Sequence, residues 1–193
     1  MGASISIKTV KTEQERRSDG LGEESSGPYR TVDERIVSEE DQTLTLGSGA
    51  DIVTLLVTRG STVLLGNRST IGTVELDDAT SFIAPANANI GSITGDVGTL
   101  SLGASSSVSL LSASVSGIST IDTKASVTTA FLRTDTLRIS PKASIGSGTL
   151  HVYEHFEGFI DPKFTGKIVI YGSDRTDISI AGRLCLLGPI RAQ

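Results

Sequence analysis

The only two histidines of the chain stand four residues apart, in His151-Val152-Tyr153-Glu154-His155. H-x-x-E-H is the spacing of an inverted zinc-peptidase site, in which two imidazoles on one helical face hold the metal. A glutamate beside them then works on the metal-bound water. Such a site needs a helix and a distant third ligand. Here the motif follows an alternating apolar stretch directly and itself contains a β-branched residue and an aromatic, which favours strand. A polar rim on an aromatic cluster is therefore expected, with no metal, no cofactor and no catalytic residue.

The remaining chemically suggestive groups read in the same direction. Asn67-Arg68-Ser69 has the form of a glycosylation acceptor, but no secretory signal is visible at the N-terminus, and a turn between strands is expected. Asp77-Asp78 is an acidic turn that reads as a solvated corner. Cys185, the single cysteine, lies between Leu184 and Leu186 and reads as a small buried apolar residue. Gly47-Ser48-Gly49 suits a turn and lacks the pattern of a phosphate-cradling loop. The motif with a positive assignment is Met1-Gly2-Ala3-Ser4-Ile5-Ser6, which fits the acceptor for N-myristoylation and makes Gly2 the candidate lipidation site.

Three parts separate by charge and composition. Residues 1–40 are dominated by charged and polar types, with runs such as Glu13-Gln14-Glu15-Arg16-Arg17, and read as a flexible arm with a possible lipid anchor. Residues 41–150 are rich in Ser, Thr, Gly and aliphatics. Residues 151–193 recover aromatics, with three of the five Phe, and resume the alternation at Ile168-Val169-Ile170, Ile178-Ser179-Ile180 and Leu184-Cys185-Leu186, so they read as an aromatic cap with irregular further β turns. Aromatics make up only 4% of the whole chain and Trp is absent, so the core must be thin and built from Ile, Leu, Val and Ala. A net charge of -5 speaks against nucleic acid as the main partner. The uncharged stretch from Val97 to Ile121 is long enough to span a bilayer, but Ser recurs through it and the apolar residues alternate. It reads as buried strand.

The elements that must carry these residues repeat. Ile52 recurs as Ile71, Ile90, Val108, Val127 and Ile145, at steps of 19, 19, 18, 19 and 18. Two residues earlier the side chain is always small: Ala50, Ser69, Ala88, Ser106, Ala125 and Ala143. Eight earlier stand Leu44, Val63, Phe82, Leu100, Ser119 and Leu137; six earlier, Leu46, Leu65, Ala84, Leu102, Ile121 and Ile139. Three later come Leu55, Val74, Ile93, Leu111, Ala130 and Gly148. A sandwich also spaces short strands evenly, but it does not hold five columns over six repeats. The expected fold is all-β: a single-stranded β-solenoid of about six regular rungs of 18–19 residues plus an irregular C-terminal cap. Tyr153, Phe156, Phe159 and Phe164 are expected to form that cap. The third position of a hexapeptide count reads Thr58, Asp77, Asp96, Ser114, Arg133 and His151. That failure favours a right-handed coil over the left-handed hexapeptide form.

Thr43-Leu-Thr-Leu-Gly-Ser-Gly-Ala-Asp-Ile52 and Thr136-Leu-Arg-Ile-Ser-Pro-Lys-Ala-Ser-Ile145 resemble the rungs of bactofilins, over roughly residues 43–150. The resemblance implies a right-handed β-helix that polymerises end to end without nucleotide and attaches to membranes through a short N-terminal segment. The rungs here are longer than that family's, and the aromatic C-terminal section is foreign to it.

Together these readings imply a non-enzymatic, self-assembling scaffold, cytoplasmic and peripheral to the inner face of a membrane, whose main partner is itself. A single myristoyl chain binds membrane with K of only about 10⁴ M⁻¹, so assembly of many weak anchors would supply the second signal by avidity. The assembly interface is expected at an uncapped N-terminal end near Leu44 and Leu46. The alternatives are a viral structural component, matrix-like or capsid-associated, and less favourably a solenoid acyltransferase. The last would call for a histidine within a rung, and His151 falls only at the edge of the last one.

Overall fold

A computed structural model of the protein describes residues 33–38, 40–171 and 178–180, with Asp33–Arg35 and 178–180 described by their backbone alone. Gly2, Cys185 and most of the expected arm lie outside the described residues. The described chain is all strand and turn, with no helix. In order the strands are β1 (Asp33–Val37), β2 (Thr43–Thr45), β3 (Asp51–Val57), β4 (Thr62–Leu64), β5 (Thr70–Ala84), β6 (Asn89–Leu102), β7 (Ser107–Ile121), β8 (Ser126–Ile139), β9 (Ser144–Ile160), β10 (Thr165–Ile170) and β11 (Ile178–Ile180). Every pairing among them is parallel and joins one rung to the next, giving a β-solenoid of about 7 turns.

The register follows from the columns. Ile52, Ile71, Ile90, Val108, Val127 and Ile145 pair in succession, and none is more than 3% exposed. Each burial is worth about 1.5–3 kcal/mol, but only because the equivalent residue above and below completes the apolar wall. Between the β-faces lies a tight corner. In Gly103-Ala104-Ser105-Ser106 the Ser106 amide donates to the Gly103 carbonyl, and the third residue has φ 60°. The same left-handed position recurs at Gly49, Arg68, Asn87, Lys124 and Lys142. The residue after it turns inward, which explains the small column: Ser69, Ala88, Ser106, Ala125 and Ala143 are all buried. Pro141, second in its turn, presets the φ such turns require.

One boundary moves. The coil begins inside the expected arm, because β1 pairs with β3 and buries Ile36, while Ser38 bonds to Thr58 and Ser61 of the first full rung. At the other end strands follow residue 150 where the resumed alternation placed them: β10 stacks on the first half of β9 and β11 on the second.

The expected aromatic lid is accordingly redistributed. Phe156 pairs with Leu137 and extends the column of Leu100 and Ser119, so it is a core residue, 1% exposed. Tyr153 points outward and is exposed. Phe159 is half-buried on a strand that β11 covers. Phe164 alone has a plug's position. The inward column shrinks there through Ala130, Gly148 and Gly166, and the Phe164 ring closes on Gly166 in the vacated space.

Candidate functional site

One flank of the coil is dented. Its outward positions pair as Thr94–Ser112–Phe131–Thr149 and, two residues on, Asp96–Ser114–Arg133–His151. The inward column between these two rows holds Leu76 and Leu132 but falls to Gly95 and Ala113 in the rungs between them. Small side chains inside and small hydroxyls outside dent the wall. The result is a groove of about 410 Å³ lined by Asp96, Ser112, Ser114, Phe131, Arg133 and His151, among others.

The side chains of this groove are unusually available. Phe131 is 51% exposed, in a chain that buries Phe82 and Phe156 completely. Among the described residues neither Asp96 nor Arg133 forms an ion pair. Their register explains it: the Ser114 rung separates them, and two rung spacings of about 4.8 Å hold them roughly 10 Å apart. Arg59–Asp78 and Arg138–Glu157, one rung apart, do pair, at 3.6 and 3.3 Å on the exposed surface.

His151 is fixed at the end of the groove by an aromatic stack. Its Nδ1 lies 2.9 Å from the Tyr171 hydroxyl. The two rings stack with centroids 5.9 Å apart, and Tyr171 stacks on Tyr153 at 4.9 Å. Tyr153 and Tyr171 are both exposed, so the exposed aromatics of the described chain gather on this one flank. Sequence reasoning passed over Phe131 and Arg133 as chemistry. The available signal was the third hexapeptide position, whose polar run from Asp77 to His151 is this outward row.

The H-x-x-E-H residues lie on β9, and a register shift separates them: His151 pairs with Arg133 and His155 with Thr136. Among the described residues no cluster of three His, Cys, Asp or Glu stands close enough to hold a metal. Asn67-Arg68-Ser69 forms a corner whose Ser69 hydroxyl is buried and donates to the Gly66 carbonyl at 2.6 Å.

No family model, curated protein or solved structure matches this chain. The site is therefore read from its own chemistry.

The N-terminal end has a different character. β2 pairs only with β4, and β1 only with β3, so among the described residues both present an unpaired edge. The Leu44 and Leu46 side chains do not face that edge. They point into the core, 6% and 8% exposed. The Gln42 carbonyl accepts from Thr62, and the Leu46 amide donates to Leu64. Alternation then directs the backbone groups of Thr43 and Thr45 away from the coil, toward the open edge.

Proposed function

We propose that the protein is a non-enzymatic scaffold that assembles with copies of itself and is held at the inner face of a membrane by its N-terminus. The observation that carries this reading is the pair of unpaired edges on β1 and β2. Such edges are templates for another chain, because their amides and carbonyls lose little by exchanging water for a second strand. Like ends meeting across these edges give a symmetric dimer, and pairing at the C-terminal end as well would extend it into a filament. The likeness of residues 43–52 and 136–145 to bactofilin rungs supports the same reading. The Gly2 motif supplies the membrane contact, and assembly raises one weak acyl anchor to a stable one.

The direct test is light scattering at tens of micromolar on the wild type and on Thr45→Pro. Proline removes an edge amide that the coil itself does not use and fits an edge strand. The wild type should sediment and scatter as a dimer or larger, and Thr45→Pro should be a folded monomer. A monomeric wild type would sink the scaffold reading. The anchor is tested separately. Protein from its native host should carry the acyl mass and sediment with membranes, and Gly2→Ala should do neither.

A further inference from the structure

We propose that the flank groove binds a neutral oligosaccharide, a function independent of assembly at the end of the coil. The chemistry of the lining selects that class. Phe131 offers a ring half of whose surface is bare, suited to the apolar C–H face of a pyranose. Around it stand a carboxylate that only accepts, Asp96, a guanidinium that only donates, Arg133, and hydroxyls that do both, Ser112 and Ser114. A sugar hydroxyl is donor and acceptor at once, so it can engage all of them.

Charge and shape exclude the competing classes. Asp96 and Arg133 balance, which leaves no net field for a phosphate backbone or a polyanion. A peptide strand would need an open sheet edge, and on this flank the strands β6 to β9 are paired on both sides. The volume of about 410 Å³ falls in the range of small-ligand sites. From Asp96 to His151 the groove crosses three rung steps of about 4.8 Å, hence about 14 Å, which suits a short oligosaccharide better than a single sugar. His151, held by Tyr171, closes one end and gives a further hydrogen-bonding nitrogen.

Tyrosine fluorescence reads the site directly, because the chain has no Trp and only three Tyr, two of which stand at its end, Tyr171 stacked on His151 and Tyr153 on Tyr171. Full-length protein is titrated with cellohexaose, maltohexaose, laminarihexaose and chitohexaose, with hexagalacturonate as the charged comparison. At least one neutral hexasaccharide should produce a saturable change. Phe131→Ala and Arg133→Ala should each weaken it by about tenfold or more, while Lys142→Ala, on a corner away from the groove, should not. Both groove residues are exposed on the outside of the coil, and unchanged thermal melting verifies that the variants are folded. The proposal is overturned if no neutral member binds at millimolar concentration, if hexagalacturonate binds more tightly than all of them, or if Phe131→Ala binds as the wild type does.

Discussion

Six consecutive corners place a residue in the left-handed region, yet only Gly49 among them is glycine. Arg68, Asn87, Ser105, Lys124 and Lys142 each accept a conformation that costs an L-residue about 1–2 kcal/mol. The turn geometry and the parallel pairing on both sides force them there. Lys124→Gly should therefore stabilise the fold by roughly 0.5–1 kcal/mol, after glycine's greater freedom in the unfolded chain is set against the relief. Lys124→Val should destabilise it, and denaturant midpoints of the two variants would separate the effects. A second residue-scale feature is Ser119, fully buried in an otherwise apolar column. It donates to Thr134 at 3.0 Å, and the Thr134 hydroxyl lies within hydrogen-bond reach of the Gly117 and Thr136 carbonyls. Thr134→Val keeps the shape and strands the Ser119 hydroxyl, at a cost of about 1–3 kcal/mol in denaturant unfolding. The small column from Ala50 to Ala143 was legible because its constancy is a matter of size alone. The left-handed position just before it was not, since Arg, Ser and Lys do not advertise positive φ.

At the scale of the element, β9 decides where the regular coil ends. It runs for 17 residues and contains a register shift between its pairings with Thr134 and Thr136. The sudden run of aromatics where the repeat stops made the segment read as a lid from sequence. Phe156 nevertheless keeps the column spacing from Leu137, and that spacing was the better guide. Phe82 already stands in that column, so a ring at Phe156 fits its residue class as well; the neighbouring aromatics drew the reading away from it. Gly148 is the residue on which the end depends. Its φ is 123°, and an added Cβ would meet the Ala130 carbonyl oxygen of the rung below. Gly148→Ala should cost about 1–3 kcal/mol through backbone strain alone, and more where the rung must shift. The loss should appear as a lower melting temperature by circular dichroism. The groove flank was legible only in part. The polar third column was visible, but the dent at Gly95 and Ala113 depends on which small residues coincide across rungs, and a single-column reading does not show that.

For the whole molecule, the rungs share one core with no internal boundary, so damage at the centre should not stay local. Ile90→Asp sets a charge where the column above and below offers only Ile71 and Val108. Loss of the cooperative melting transition is expected, not a partial one. Among the described residues the same continuity leaves strand edges without a partner at the ends of the coil, and the N-terminal end carries a charge that governs how copies meet. β1 and the segment after it contain Asp33, Glu34, Glu39, Glu40 and Asp41 against Arg35, five carboxylates and one guanidinium, a local charge of -4. Head-to-head contact brings two such ends together. Repulsion between them is long-ranged at low ionic strength and is cut to a range of about 10 Å at 0.1 M salt. The backbone bonds across β1 and β2, by contrast, depend little on salt. Association through like ends should therefore strengthen as salt rises, and light scattering from about 10 mM to 0.5 M sodium chloride should show the mean mass increasing. Glu40→Lys with Asp41→Lys brings the local charge to zero and should flatten that dependence at unchanged melting temperature. A mass that falls as salt rises would mean that opposite charges meet at the contact. The acidic N-terminal end would then be seated on a different surface, and the symmetric dimer would give way to a head-to-tail arrangement.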